Sequence, residues 1–212
     1  MIRVLLADDH AMVRAGLKEL LSATGDIAVT GEATDGHGVL KAVREADYDV
    51  AVLDMTMPGR SGIELIKLVK TERPQLRVLV LSMHSEQQYA VRAIRAGASG
   101  YLTKESAPDT LVAAIRRVAG GGAFISPETA ERLVLETGSA TAALPHTMLS
   151  DREFEVFRQI AAGQSVSDIA AALKLSVKTI STHKSRILEK MGMTSQADLV
   201  RYAMKHGLIE DV

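Results

Sequence analysis

The amino-acid sequence predicts an α/β unit, a five-stranded doubly wound parallel sheet, followed by a smaller all-α unit built around a helix-turn-helix. Three observations carry that expectation. Over the first ~120 residues, short apolar runs alternate with amphipathic stretches at the spacing of βα repeats. Residues 137–147 (TGSATAALPHT) are then small and polar, lack periodicity and contain Pro145. After that break, four helix-period segments follow in about 60 residues, with a tight turn between the second and third.

The strand candidates are 3–7, 27–33, 50–53, 77–81 and 99–102. Between them lie helix candidates 11–23, 38–46, 62–71, 86–96 and 108–119, the first carrying Met12, Val13, Leu17, Leu20 and Leu21. Five such repeats place helices on both faces of one sheet. Gly120, Gly121 and Gly122 end the fifth helix and lack the Lys-Ser/Thr pair of a phosphate-binding loop. Ser126-Pro127-Glu128 reads as an N-cap, a first-turn proline and a first-turn acid, opening a short helix to about residue 136. In the C-terminal part, helices are expected at 151–162, 167–173, 177–191 and 196–206. Ser165 with Asp168, and Ser195 with Asp198, form capping-box-like starts, and Ser176 can cap the third helix. The expected organisation is therefore 1–122, then a short helix and linker over 123–147, then 148–212.

Composition narrows the function classes. Hydrophobic residues make up 47% of the 212, enough for a real core, and cysteine is absent, which excludes disulfides and thiolate metal sites. No apolar run is long enough to cross a bilayer, and MIRVLLADDH meets two acids too early for a secretory signal, so a cytoplasmic protein with no membrane partner is expected. The net charge of −1 conceals a basic block: 174–205 holds seven Lys and Arg against two acids. Such a block fits either an anionic partner at one face or a solvated helix surface.

Open α/β sheets bind ligands at the carboxyl ends of their strands. Here those ends carry Asp8 and Asp9 after the first strand, Asp54 after the third, Ser82 after the fourth and Lys104 after the fifth. Crowded carboxylates repel, and a hard cation with oxygen ligands, Mg2+, relieves that repulsion. A carboxylate can attack phosphorus to form an acyl phosphate, with the metal and an ammonium group neutralising the transferring phosphoryl oxygens. Lys104 suits the ammonium role, and Ser82 can hydrogen-bond a phosphoryl oxygen. Met55, Met57 and Met83 read as packing and loop residues, since thioether is soft and this site is hard. Pro58-Gly59 reads as the turn beside Asp54.

The segments LLADDH, VAVLDMTMPGRSGIELI, VLVLSMHSE and AGASGYLTKESAPDTLVAAI resemble the receiver domain of bacterial two-component response regulators, a flavodoxin-like fold. The resemblance implies that Asp54 accepts a phosphoryl group from a sensor histidine kinase. It implies that Asp9 and Asp54 ligate Mg2+ directly, Asp8 through water, and Thr56 through its backbone carbonyl. Lys104 would contact the phosphoryl group, Ser82 would be the switch hydroxyl and Tyr101 the aromatic that turns inward with it. Thr56 and His84 stand at positions that tune phosphoryl lifetime in that family.

The stretch LSDREFEVFRQIAAGQSVSDIAAALKLSVKTISTHKSRILEKMGMTSQADLVRYAMKHGLI resembles the DNA-binding domain of LuxR/NarL/FixJ-type regulators. On 177–191, Val177, Ile180, Ile187, Leu188 and Met191 are expected to form an inward apolar stripe. The other face shows cations for phosphates and short polar side chains for base edges. Lys178, Thr179, His183, Lys184 and Arg186 are assigned mainly to phosphate contact, and Ser181, Thr182 and Ser185 to the groove floor of double-stranded DNA. In the last helix Leu199, Val200, Ala203 and Met204 divide between the core and, by resemblance, pairing of two such domains in a homodimer. RNA polymerase is a candidate further partner.

The expected function is a transcription regulator and not an enzyme. A phosphatase of the haloacid-dehalogenase type needs a second Asp two residues after the nucleophile, and that position is Thr56. A receiver that only docks other proteins would lack sequence-selective duplex binding. Aromatics at 3% leave no stacking set for single-stranded RNA.

Overall fold

A computed structural model describes residues 1–57, 62–82, 87–106, 108–138 and 144–209. They form two compact units, Met1–Val134 and Leu135–Val212. Among the described residues, no helix is long and apolar enough to cross a membrane.

In the first unit the strands are β1 (Ile2–Ala7), β2 (Ile27–Ala33), β3 (Val50–Asp54), β4 (Arg77–Ser82) and β5 (Gly100–Thr103). They pair in parallel in the order β2-β1-β3-β4-β5. The connecting helices are α1 (Ala11–Ser22), α2 (Gly36–Glu45), α3 (Gly62–Glu72), α4 (Gln87–Arg95) and α5 (Pro108–Ala119). Val50–Asp54 is buried at every position, as a parallel strand covered on both faces must be. One face of the pleat packs Val4, Leu6, Val50, Val52, Leu79 and Leu81 against Leu111, Ile115 and Val118 of α5. The opposite pleat positions Leu5, Leu53, Val78 and Val80 are equally buried. Gly100 is required by close approach, because a Cβ there would lie 2.8 Å from Leu79 Cδ1 and 2.9 Å from the Phe124 carbonyl oxygen.

The second unit holds α7 (Asp151–Ala161), α8 (Val166–Ala172), α9 (Val177–Met191) and α10 (Gln196–Lys205), with α6 (Pro127–Gly138) preceding them at the junction. Phe154, Phe157 and Ile160 of α7, Ile169 of α8, Ile180 and Ile187 of α9, and Leu199 and Ala203 of α10 form its buried core. Between α8 and α9, Lys174 takes the left-handed conformation at φ 52°, closing the tight turn. Gly192, at φ 63°, caps α9 at its C-terminus.

Segment 123–147, expected as a short helix and linker, is divided. Phe124 pairs with the β5 edge: its N–H donates to Ser99, and its carbonyl accepts from Tyr101. Helix α6 runs to Gly138, and Pro145–Met148 form a 3-10 turn whose His146 is 1% exposed, with Nδ1 2.7 Å from the Tyr202 hydroxyl. The proline read as a linker breaker instead starts that turn. Residues 139–143 of the expected linker lie outside the described residues.

Glu153 shows how tightly the second unit is stitched. Ser150 caps α7, its Oγ accepting from Glu153 N–H while Glu153 Oε2 accepts from Ser150 N–H at 2.8 Å. Lys190 Nζ of α9 donates to the same oxygen at 2.6 Å. Burial pushes the carboxyl up, but the Lys190 and Ser150 hydrogen bonds outweigh it and hold it below the usual carboxylate range. A depressed folded-state pKa means that the stabilisation is present above the unfolded value and is lost as pH falls through the folded one. Glu153→Gln is therefore expected to cost about 1.5 kcal/mol at neutral pH. It is also expected to flatten the acid limb of a melting-temperature profile. An unchanged acid limb would disprove the assignment.

Candidate functional site

The sheet order reverses between β1 and β3, and their carboxyl ends form the crevice where such sheets place ligands. Asp8 follows β1 and Asp54 ends β3, 1% and 2% exposed. From the end of β5, Lys104 reaches across, its Nζ 2.8 Å from Asp8 Oδ2 and 2.9 Å from Asp54 Oδ2. Burial alone would lower this ammonium, but the adjacent Asp8 and Asp54 carboxylates hold its pKa above the usual lysine range. Thr56 donates its N–H to Asp54 Oδ1 at 3.2 Å, and its hydroxyl lies 3.0 Å from both carboxylate oxygens.

Asp9 is more open, at 30% side-chain exposure. His10, which sequence reasoning passed over, stands between the acids: its Nδ1 lies 3.1 Å from Asp8 Oδ1 and 3.0 Å from Asp9 Oδ1. Its place beside two acids at a strand end was the available signal. One ligand atom from each of Asp8, Asp9, His10 and Asp54 falls within 4.8 Å of the others. This acidic pocket could hold a metal ion. The buried Asp8 Oδ2 has an ion-pair neighbour in Lys104 but no aligned hydrogen-bond donor, which leaves a lone pair for a cation. Oxygen donors dominate the set, so a hard divalent ion fits.

Ser82 is fully buried at the end of β4, one position beyond Leu81, the residue paired with Asp54. Tyr101, on β5, is 8% exposed. Lys104, after β5, thus joins the ends of β1 and β3 at one rim, and Ser82 ends the intervening strand β4. Met55 and Met57 are buried packing residues, at 4% and 2% exposure. Pro58, Gly59, Met83 and His84 lie outside the described residues.

The basic helix corrects the sequence reading at several positions. Ile180, Ile187 and Met191 of α9 are buried, but Val177, expected inside, is 51% exposed at the first helical position. His183, expected outside, lies three residues after Ile180 and four before Ile187, and so is half-buried on the inner stripe. Burial first, then Arg152 of α7, pushes its pKa below the usual histidine value. Lys184 is half-buried, its ammonium donating to Gln196 at 2.7 Å. Thr179 is half-buried, with its hydroxyl 2.8 Å from Ser176 Oγ. Lys178, Ser181, Thr182, Ser185 and Arg186 remain on the exposed face. On α10, Leu199 and Ala203 are buried and Met204 is 56% exposed.

Residues 4–116 match the family described as response regulator receiver domain, and 147–203 match the bacterial regulatory proteins, luxR family. The chain is 35% identical to Response regulator UvrY of Escherichia coli (strain K12), over 98% of this chain and 96% of that one. It is 36% identical to Response regulator GacA of Pseudomonas aeruginosa, over 99% of each. Among solved structures it is similar to RcsB from Salmonella enterica serovar Typhimurium bound to promoter rprA in the presence of phosphomimetic BeF3−. That match has a TM-score of 0.66 and 29% identity, covering 95% of this chain and 97% of that one.

Proposed function

This chain belongs to the two-component response regulators that join a receiver domain to a LuxR-type DNA-binding domain and regulate transcription, and from that premise we propose how its own residues work. Asp54 is the phospho-acceptor. The observation that carries this is the contact of Lys104 with both Asp8 and Asp54 at the sheet's switch point. A carboxylate oxygen of Asp54 attacks the phosphorus of a phosphorylated histidine on a sensor kinase. The phosphorus–nitrogen bond breaks, imidazole leaves, and an acyl phosphate forms. Lys104, on Asp54 Oδ2, neutralises charge on the arriving phosphoryl oxygens. Mg2+, held by Asp9, Asp54, the Thr56 carbonyl and Asp8, would supply further neutralisation of that charge. Thr56 holds the Asp54 carboxylate in one orientation through its N–H and hydroxyl.

Ser82 and Tyr101 form the switch: the hydroxyl binds the new phosphoryl group and the aromatic ring moves inward with it. Phosphorylation biases a two-state equilibrium towards a form whose C-terminal domains pair as a homodimer on duplex DNA. Lys178 and Arg186 contact phosphates, and Ser181, Thr182 and Ser185 face base edges. The half-buried His183, Thr179 and Lys184 support α9 and reach phosphates only at its flanks. The protein acts in the cytoplasm, without catalytic turnover of its own, and RNA polymerase is its partner at promoters. RcsB bound to promoter DNA with a phosphomimetic supports this reading.

The test is a pair of titrations against genomic DNA fragments, with and without acetyl phosphate and Mg2+, using Asp54→Asn as control. The expected result is tighter, sequence-selective binding that needs both reagents and Asp54. Selective binding in Asp54→Asn that responds equally to acetyl phosphate would overturn the assignment of Asp54.

A further inference from the structure

We propose that Ser181, Thr182 and Ser185 read the major groove as hydrogen-bond acceptors, so that α9 selects the exocyclic amino groups of adenine and cytosine over the bare acceptors of guanine and thymine. The proposal rests on the reading of α9 as the DNA-contacting helix. A hydroxyl has one proton and two lone pairs. All three protons are engaged within the helix. Ser181 Oγ donates to the Val177 carbonyl at 2.9 Å, Thr182 Oγ1 to Lys178 at 3.0 Å, and Ser185 Oγ to Ser181 at 3.2 Å. What each presents outward is therefore a lone pair.

Major-groove edges divide cleanly against such a surface. Adenine offers N6–H and cytosine N4–H as donors, whereas guanine O6 and N7 and thymine O4 are acceptors. A guanine opposite one of these hydroxyls meets acceptor with acceptor, or forces the side chain to give up its helix bond. Guanine is therefore disfavoured on this face, since the exposed Lys178 and Arg186 are engaged with phosphates and Lys184 is held by Gln196.

Val177 sharpens the code. It is 51% exposed and one turn before Ser181, so methyl groups and a lone pair lie side by side on the helix. An A·T pair displays the matching set, an amino donor and the thymine C5-methyl. A C·G pair offers the donor without the methyl. The Val177–Ser181 step is thereby assigned to an A·T pair.

The experiment uses the full chain with acetyl phosphate and Mg2+. Duplexes are first selected from a randomised pool. Each adenine of the preferred site is then replaced by purine, and each cytosine by 2-pyrimidinone, which delete the amino group; each thymine is replaced by uracil. Binding is measured for wild type, Ser181→Ala, Thr182→Val, Ser185→Ala and Val177→Ala. Alanine at an exposed helical serine favours the helix, and melting curves verify the fold of every variant. Loss of a read amino group is expected to weaken wild-type binding about fivefold to tenfold. It should leave the variant that lacks the matching hydroxyl unaffected, and uracil should be silent in Val177→Ala alone. Equal penalties in wild type and variants would overturn the proposal, as would a hydroxyl-dependent contact to guanine. A pool that yields no preferred duplex would overturn the DNA-reading role of α9 itself, an outcome distinct from a preferred sequence indifferent to these hydroxyls.

Discussion

Lys104→Met is expected to destabilise the α/β unit by about 3 kcal/mol in metal-free buffer, the usual cost of removing one partner from a buried ion pair. Its ammonium sits between two carboxylates that are each 1% exposed by side chain, and is itself only 9% exposed. Without it, Asp8 and Asp54 face each other with no cation and little water, and their repulsion is unscreened. Asp54→Asn should have the opposite sign or none, because it removes one member of a crowded acidic set while Lys104 keeps Asp8. The double variant should then regain part of the Lys104→Met loss, a non-additive result expected for residues sharing one network. Denaturant melts of the four proteins measure it. Additive losses would mean that the triad is not the coupled unit described.

The acidic rim was legible because parallel strands announce themselves. Runs such as 50–53, apolar at every position, can sit only in a sheet covered on both faces, and the polar residue after each run must then lie at one rim. The helices at 108–119 and 177–191 have the same bounds in structure as in sequence, since Pro108, Ser176 and Gly192 mark their ends. Helix α2 starts two residues early, at Gly36. Its cap is Asp35, whose side chain accepts from Gly38 N–H, and two glycines in the first turn hide that signal. What could not be read was tertiary. Val177 and His183 exchange places between the inner and outer faces of α9. Hydropathy ranks valine as buried, but position on the helix relative to Ile180 and Ile187 decides the matter. Pro145 looked like a linker breaker because the burial of His146 against Tyr202 depends on a residue 56 positions away. Lys174 adopts a left-handed φ that its side chain does not advertise.

Phe157→Ala is expected to remove the helical unit while sparing phosphorylation. Phe157 is fully buried in α7, with its ring centroid 6.1 Å from that of Phe154. Truncating such a ring costs about 3–5 kcal/mol, through lost burial and the cavity left behind. A domain of this size has a total stability on the order of 5–10 kcal/mol, so that loss is most of what holds it. Its melting transition should fall by roughly 15 °C or more. The α/β unit has its own core, centred on Val4, Leu6, Val52, Leu79 and Ile115, none of which lies in α7. Calorimetry should therefore show one transition displaced and one retained. The variant should still accept phosphoryl from acetyl phosphate under conditions where it no longer binds duplex DNA. If both transitions moved together, or acceptance failed alongside binding, the two units would be one cooperative body. On the proposed reading, phosphorylation would then have to act through a shared core rather than between two independently folded domains.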